Sequence, residues 1–170
     1  MDLLDEEVFA VIIAVVVVGS VFSAAQLLRP ANPEPFSAIG LLNQDCVIGD
    51  YPSEVYSGDN VTLCLFVDNH LGYTALFRVV YKMGSNATLP TNETPSSAPV
   101  IAEWDFLLDS GENATSRVTV PVMVDLGDNV SRRAALIFEL WYLDPSSAEW
   151  VYTGRWVHLY VLVKKPVLGG

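Results

Sequence analysis

The chain has 170 residues, and its 20 acidic side chains outnumber the 9 basic ones, so the formal net charge is −11. A surface this acidic repels phosphate groups, which argues against any protein that binds nucleic acid through basic patches. Hydrophobic residues make up 51% of the chain, and this share argues against a disordered protein.

The first predicted element is the uncharged apolar stretch Val8–Leu28. As a helix that rises about 1.5 Å per residue, it spans roughly 30 Å, the thickness of the hydrocarbon core of a bilayer. A β domain has no place for a core helix that is apolar on every face. A cleaved signal peptide that ends near Ser23–Ala25 is the alternative to a retained anchor. We favour the anchor because the short leader Met1–Glu7 has four acidic residues and no basic one, the reverse of a signal peptide.

The orientation of this anchor is predicted from the residues that follow it. Arg29, taken alone, places the later domain in the cytoplasm by the positive-inside rule. Five Asn-x-Ser/Thr sequons favour the opposite side, and the tendency of these residues to gather in turns does not explain so many. We therefore expect a single-pass protein of the cell membrane, with a cytoplasmic N-terminus and an extracellular, glycosylated C-terminal domain. The predicted glycosylation sites are Asn60, Asn86, Asn92, Asn113 and Asn129.

A proline-rich linker at 29–35 separates the anchor from a domain at 36–165, and a short tail at 166–170 ends the chain. Within the domain, apolar and polar residues alternate in segments that turn signals separate, which predicts strands. Asn60–Asn69 alternates most clearly, and its Val and Leu side chains are expected to face the core. The predicted strands are Phe36–Leu42, Asn60–Asn69, Thr74–Met83, Val100–Leu108, Ala114–Val124, Arg133–Leu143 and Trp150–Val163.

Single residues refine this pattern of strands. Pro121 has no backbone donor and predicts an edge strand or a bulge, and Gly154 predicts a bulge or bend in the last strand. The strongly apolar strand Arg133–Leu143 is predicted to be central. About seven strands with no helical period predict an all-β fold, an Ig-like antiparallel β-sandwich preceded by one transmembrane helix.

Side chains and one loop of this sandwich are assigned in the same way. Lys82 is expected on the polar side of its strand, opposite the core. Trp104 and Trp141 are expected in the core. The polar loop Gly84–Ala98 carries two sequons and is expected to be a flexible or glycosylated edge.

The chain has two cysteines, Cys46 and Cys64. A disulfide and a pair of reduced, buried thiols are both compatible with the sequence. A metal site is not expected from them, because two thiols alone do not fill a tetrahedral shell.

Candidate catalytic residues are few. His70 and His158 are the two histidines of the chain, and neither lies beside a Gly-x-Ser-x-Gly elbow. Asp109–Asn113 and Asp125–Asn129 share the pattern Asp-x-Gly-acidic-Asn, but both lack the closing Glu of a calcium loop. They are interpreted as turns. We expect no enzyme, no cofactor and no metal site.

Several motifs of the domain carry a resemblance to a known family. Tyr51–Gly72 resembles a recurrent Ig-like module: a Pro, a β segment, a Gly, an alternating strand, then an Asn followed by a Gly. Further motifs are a Leu-Leu-x-x-Asp opening, Asp50-Tyr51-Pro52, Asp68-Asn69-His70, Phe138-Glu139-Leu140-Trp141 and Tyr152-Thr153-Gly154-Arg155-Trp156. With these motifs, the chain from Phe36 to about Val163 resembles archaeal proteins grouped as domain-of-unknown-function family 1616. This resemblance implies a membrane-anchored, extracytoplasmic Ig-like domain, and it implies no activity.

Two functional hypotheses follow from the sequence. The leading one is a structural or interaction protein that contacts cell-envelope components, such as an S-layer, a surface filament or a glycoprotein. The alternative is an accessory subunit of a membrane enzyme, transporter or secretion complex, bound through its anchor helix. The expected partners are the lipid bilayer, through Val8 to Leu28, and a protein or glycan of the envelope. Small residues four apart would allow helix packing at Ala10/Ala14, Gly19/Ser23 and Ser20/Ala24.

Overall fold

The computed structural model describes residues 6–27 and 34–166. The chain divides into two units, with the boundary between Glu34 and Pro35. The predicted linker residues 29–33, Leu28 at the end of the predicted anchor, and most of the predicted tail lie outside the described residues.

The first unit contains one α-helix, α1 (Glu6–Leu27). Residues Val8–Leu27 of this helix are long and apolar enough to cross a membrane. Valine, isoleucine and phenylalanine side chains are exposed on every side of α1, which is typical of a helix whose solvent is lipid. The helix begins at Glu6, so it takes in the last two residues of the predicted leader.

The second unit is a β-sandwich, so the all-β prediction is confirmed. Its smaller sheet has the strand order β1-β3-β6, and its larger sheet has the order β2-β8-β7-β4-β5. All pairings are antiparallel except that of β2 with β8, which is parallel, so the prediction of a fully antiparallel sandwich is wrong at this edge. The eight strands of the described residues are β1 (Phe36–Leu42), β2 (Glu54–Tyr56), β3 (Asn60–His70), β4 (Ala75–Gly84), β5 (Val100–Leu108), β6 (Asn113–Pro121), β7 (Ser131–Asp144) and β8 (Glu149–Lys164).

The core lies between the two sheets and is built by alternation. On β3, Val61 is 5% exposed and Leu63, Leu65 and Val67 are fully buried, as their spacing predicts. On β4 the residues that face the core begin at Ala75 and alternate in the same way. Burying each of these larger side chains contributes about 1.5–3 kcal/mol to folding.

Three further predictions about the strands are confirmed. Pro121 ends β6, an edge strand of the smaller sheet, where its missing N–H interrupts no pairing. β7 lies in the middle of the larger sheet. The register between β7 and β8 shifts at Leu140, and Gly154 lies in this bulge with a φ of +72°.

The two tryptophans assigned to the core have different environments. Trp104 is partly buried and packs against the core. The prediction for Trp141 is wrong, because its side chain lies on the opposite face of β7, beside Glu139. Residues 134–140 of β7 are all buried, so both faces of this strand are covered. On such a strand, apolar character does not distinguish the core face from the outer face.

Candidate functional site

The outer face of the larger sheet, which points away from the core, carries several aromatic and charged side chains. Its residues come from β5, β4, β7 and β8, and the cross-strand register arranges them in rows. Two neighbouring rows hold the candidate site. They are Asp105, Arg78, Trp141 and Tyr152 in the first row, and Glu103, Val80, Glu139 and Trp156 in the second.

A buried ion pair lies on this face, between Lys82 and Glu139. Lys82 Nζ is 3.0 Å from Glu139 Oε2, and the two side chains are 7% and 0% exposed. Lys82 Nζ also donates to the carbonyl of Ser96 at 2.8 Å, and the Ser96 N–H donates to Glu139 Oε1 at 2.5 Å. Trp141 Nε1 donates to Glu139 Oε2 at 3.2 Å. Both carboxylate oxygens therefore have donors, as a buried charge requires.

This ion pair was not predicted. Lys82 lies on the face of β4 opposite the core, as the alternation predicts, but its side chain is buried there. The segment Ser85–Pro99, which we call the covering loop, folds over the part of the outer face that holds Lys82 and Glu139. Ser96 of this loop is 6% exposed and is held by both charges of the pair. The sequence predicts a flexible or glycosylated edge at Gly84–Ala98. The structure shows a loop anchored on the sheet by hydrogen bonds, and its glycosylation remains a prediction.

Tyrosine hydroxyls of β8 hold the rest of the covering loop. Tyr152 donates to the carbonyl of Thr91 at 2.9 Å, and Tyr160 donates to Asn86 Oδ1 at 2.8 Å. Burial, with a smaller contribution from Glu139, raises the pKa of Tyr152 to about 12, so its hydroxyl remains a donor at physiological pH.

A small hollow, which we call the outer pocket, lies beside the ion pair. Its volume is about 190 Å³, and two tryptophans, two valines and three charged residues form its walls. These residues are Arg78, Val80, Lys82, Val100, Glu103, Trp141 and Trp150.

The walls of the outer pocket are fixed by their own contacts. Arg78 donates from Nε and Nη2 to the two carboxylate oxygens of Asp105, at 2.7 and 2.9 Å. Its Nη1 is 3.3 Å from Glu103 Oε2, and its guanidinium lies 4.1 Å from the centre of the Trp150 ring. The hydrogen bonds from Arg78 lower the pKa of Asp105, and the same bonds raise the pKa of Arg78. The pocket is therefore a rigid hollow with apolar walls and charged edges.

The five sequon asparagines are all exposed. They are spread over the smaller sheet, the covering loop and the β6–β7 connection, so they do not form one site. Asn60 and Asn113 begin β3 and β6, and Asn86 begins a short 3₁₀ helix, Asn86–Thr88, in the covering loop. The glycosylation of these five exposed asparagines remains a prediction.

Cys46 and Cys64 form a disulfide, and their Cα atoms are 5.2 Å apart. The bond ties the segment that follows β1 to the middle of β3. Asn43 organises the same segment: its side chain accepts from the N–H groups of Asp45 and Val47, at 2.9 and 3.1 Å.

The two histidines lie on different sheets. His70 contacts Asp68 at 3.2 Å, and its ring stacks on Phe36. His158 lies on the outer face, with Trp156 and Tyr160 on its two sides. Burial, and then the positive charge of Arg133, lower the pKa of His158. The structure does not bring the two histidines together into one site.

The two Asp-x-Gly segments form the turns that connect β5 to β6 and β6 to β7. Gly111 and Gly127 have φ values of +86° and +52°, and Asp125 Oδ1 accepts from the N–H of Gly127 at 3.0 Å. A wider cleft of about 490 Å³ is bordered by Asp50, Glu54 and Asp59. Across residues 6–27 and 34–166, no three His, Cys, Asp or Glu side chains are grouped closely enough to hold a metal ion.

Neither a protein-family model nor a curated protein matches this sequence. Solved structures with a similar course of the chain include a β-glucosidase from Listeria innocua, at 10% identity and a TM-score of 0.46 over 79% of this chain. The sporulation control protein Spo0M of Bacillus subtilis matches at 10% identity and a TM-score of 0.44, over 76% of this chain and 50% of that protein. A PapD-like domain of human CEP192 matches at 10% identity and a TM-score of 0.39, over 82% of this chain and 92% of that domain. This chain spans only 17% of the β-glucosidase.

Proposed function

We propose that this protein is a single-pass, membrane-anchored interaction protein, whose Ig-like sandwich contacts cell-envelope components on the outer side of the membrane. The observation that carries the proposal is one chain that joins an exposed apolar helix to a disulfide-closed sandwich with five exposed sequon asparagines. The envelope components that would fit are an S-layer, a surface filament or a glycoprotein.

The disulfide supports the outward orientation. Disulfides persist in oxidising compartments, such as the cell exterior, and are rare in the reducing cytosol. The Cys46–Cys64 bond and the exposed acceptor asparagines thus favour the same side of the membrane. The Ig-like assignment and the resemblance to family 1616 belong to this proposal, and they fit a domain of two packed sheets.

The outer face is the contact surface that we propose. Trp141, Trp150 and Trp156 are half-buried there, and aromatic side chains that are fixed but still reachable are enriched in binding surfaces. The ion pair and the covering loop hold this face in one arrangement, so a partner does not have to order it on binding.

A second candidate function is that of an accessory subunit bound through α1. Gly19 supports it, because glycine has no side chain and the backbone of another helix can therefore approach closely at this point. Ala10/Ala14 and Ser20/Ala24 are further pairs of small residues on α1.

Photo-cross-linking in native membranes separates the two functions. A photoreactive residue replaces Leu107, which is 70% exposed on the outer face, or Val18, which is 69% exposed on α1. The envelope-contact proposal predicts that position 107 captures an envelope protein or glycoprotein. Capture of a membrane complex from position 18 alone would contradict it and support the accessory subunit.

A further inference from the structure

We propose that the outer pocket binds one neutral pyranose ring of an envelope glycan. This inference rests on the proposed function and names the chemistry of the partner. Its basis is the combination of indole walls, polar edges, fixed side chains and small size in one pocket of about 190 Å³.

The walls match the two kinds of surface that a pyranose presents. A sugar ring has a C–H face, which packs on an aromatic ring, and a rim of hydroxyls, which exchange hydrogen bonds with polar groups. Trp141 and Trp150 supply indole surface, and Val80 and Val100 extend the apolar wall. Glu103, whose side chain is 43% exposed, supplies carboxylate oxygens that accept from ligand hydroxyls.

The charges of the pocket favour a neutral sugar over an acidic one. Arg78 is already bound by Asp105 and Glu103, and Lys82 is already bound by Glu139. Neither cation is therefore available to a ligand carboxylate. The five groups comprise two cations and three carboxylates, and their net negative charge repels a ligand carboxylate.

The side chains are held in place before any ligand arrives. Trp141 is fixed by its bond to Glu139 and by Tyr152, whose ring centre is 5.4 Å from its own. Trp150 is fixed on one face by the Arg78 guanidinium. Preformed walls avoid the cost of immobilising side chains on binding, which matters for a ligand as small as one ring. The volume is below the roughly 300 Å³ at which sites for drug-sized ligands begin, and it suits a single ring.

The test uses the full chain in lipid nanodiscs. The probes are the methyl glycosides of glucose, galactose, mannose and N-acetylglucosamine, with methyl glucuronide as the acidic comparison. Binding is followed by saturation-transfer NMR and by titration of the tryptophan signals. We expect saturable, millimolar binding of at least one neutral glycoside and at least fivefold weaker binding of the glucuronide. If none of the neutral glycosides binds at concentrations up to about 100 mM, the inference is overturned.

Two pocket variants and one control variant locate the site. Trp150→Leu removes an indole wall and is expected to weaken binding at least tenfold. Phe36→Leu removes an exposed aromatic ring of the smaller sheet, outside the pocket, and is expected to leave the affinity within twofold. Glu103→Gln keeps the shape of its side chain and is expected to weaken binding at least threefold, which preserves the test if Trp150→Leu does not fold. Equal affinity of the wild type and both pocket variants would place the sugar elsewhere and contradict the inference.

The outcome is distinguishable from that of the proposed function. If the glycosides fail to bind while position 107 still captures an envelope protein, the sugar site is wrong and the envelope contact stands. If the glycosides bind but position 107 captures nothing from the membranes, the pocket stands and the envelope contact fails.

A final arm identifies the source of the sugar. We commit to a glycan carried by another molecule of the envelope. Sedimentation of the chain, with and without its own N-glycans, tests the other source, which is a second copy of this chain. Self-association that requires those N-glycans and is lost in Trp150→Leu would contradict the commitment.

Discussion

Lys82 and Glu139 form an ion pair with 3.0 Å between nitrogen and oxygen, under a loop that both of them hold. The pair lies on the face of the sheet that points away from the core. It holds the covering loop against part of the outer face. Lys82 is also a wall of the outer pocket, and Glu139 accepts a hydrogen bond from Trp141, another wall. The shape of the outer pocket therefore depends on the ion pair.

Replacement of Lys82 tests the energetic role of the pair. Lys82→Met leaves a fully buried carboxylate without its counter-charge, so we expect the free energy of unfolding to fall by about 3–5 kcal/mol. Urea unfolding of the full chain in micelles, followed by near-ultraviolet circular dichroism, measures this change. The double variant Lys82→Met/Glu139→Gln removes the unpaired charge, so we expect it to recover much of the lost free energy. If the free energy of unfolding of Lys82→Met lies within about 1 kcal/mol of the wild-type value, the Glu139 carboxylate does not depend on Lys82.

Removal of the disulfide is expected to destabilise the sandwich. The bond joins residues separated by 18 positions, and the loop-closure relation gives about 3 kcal/mol for a loop of this size. Cys46→Ala/Cys64→Ala, compared with the wild type before and after reduction, measures the loss in the same urea experiment. Reaction of a maleimide with both cysteines in the unreduced, folded chain would contradict the bond itself.

Gly154 is expected to tolerate no side chain. Its φ of +72° disfavours other residues, and a Cβ there would overlap the carbonyl oxygen of Asn92 in the covering loop. Gly111 has a φ of +86° but open space around it, so Gly111→Ala is the matched control for backbone strain.

The difference between these two variants isolates the contact with the covering loop. We expect Gly154→Ala to lower the free energy of unfolding by at least about 1 kcal/mol more than Gly111→Ala. Limited proteolysis is expected to cut the covering loop faster in Gly154→Ala alone. Equal losses of stability and equal rates of cutting would mean that the loop does not press on this glycine.

His158 is expected to make stability depend on pH. Burial and Arg133 lower its pKa in the folded state, so the unfolded chain takes up a proton first as the pH falls. The contribution of the neutral imidazole is present above the unfolded pKa of about 6.5 and is lost as the pH falls from there toward the folded pKa. Melting temperatures measured between pH 7.5 and 5.5 should fall in the wild type and fall less in His158→Gln. If the melting temperature depends on pH equally in the wild type and in His158→Gln, His158 is not the source of the pH dependence.

The sequence predicts the strands better than it predicts the outer face. Regular alternation located β1, β3, β4 and β5 to within a residue or two at each end. β2 was missed because its three residues are too few to show a period, and its pairing partner lies more than a hundred residues away. The spacing of apolar residues along the chain does not show that two distant segments pair in parallel at the edge of a sheet.

The ion pair was missed because alternation gives the face of a side chain but not what covers that face. Lys82 was correctly placed opposite the core, yet its burial depends on the covering loop. Glu139 carried a usable signal, since it is the one charged residue in the apolar run 134–143 and a buried charge requires a partner. A single charge in an apolar run predicts that a cation lies nearby. Only the register of β4 with β7 shows that this cation is Lys82.

The central claim is that the sandwich lies outside the cell, and labelling of intact cells tests it most directly. Leu107→Cys places a thiol at a side chain that is 70% exposed, and a membrane-impermeant maleimide reports its side of the membrane. Asp2→Cys, before the anchor, is the matched control. The account predicts that position 107 is labelled in intact cells and position 2 only after lysis. Labelling of position 2 in intact cells, with position 107 protected until lysis, would contradict it.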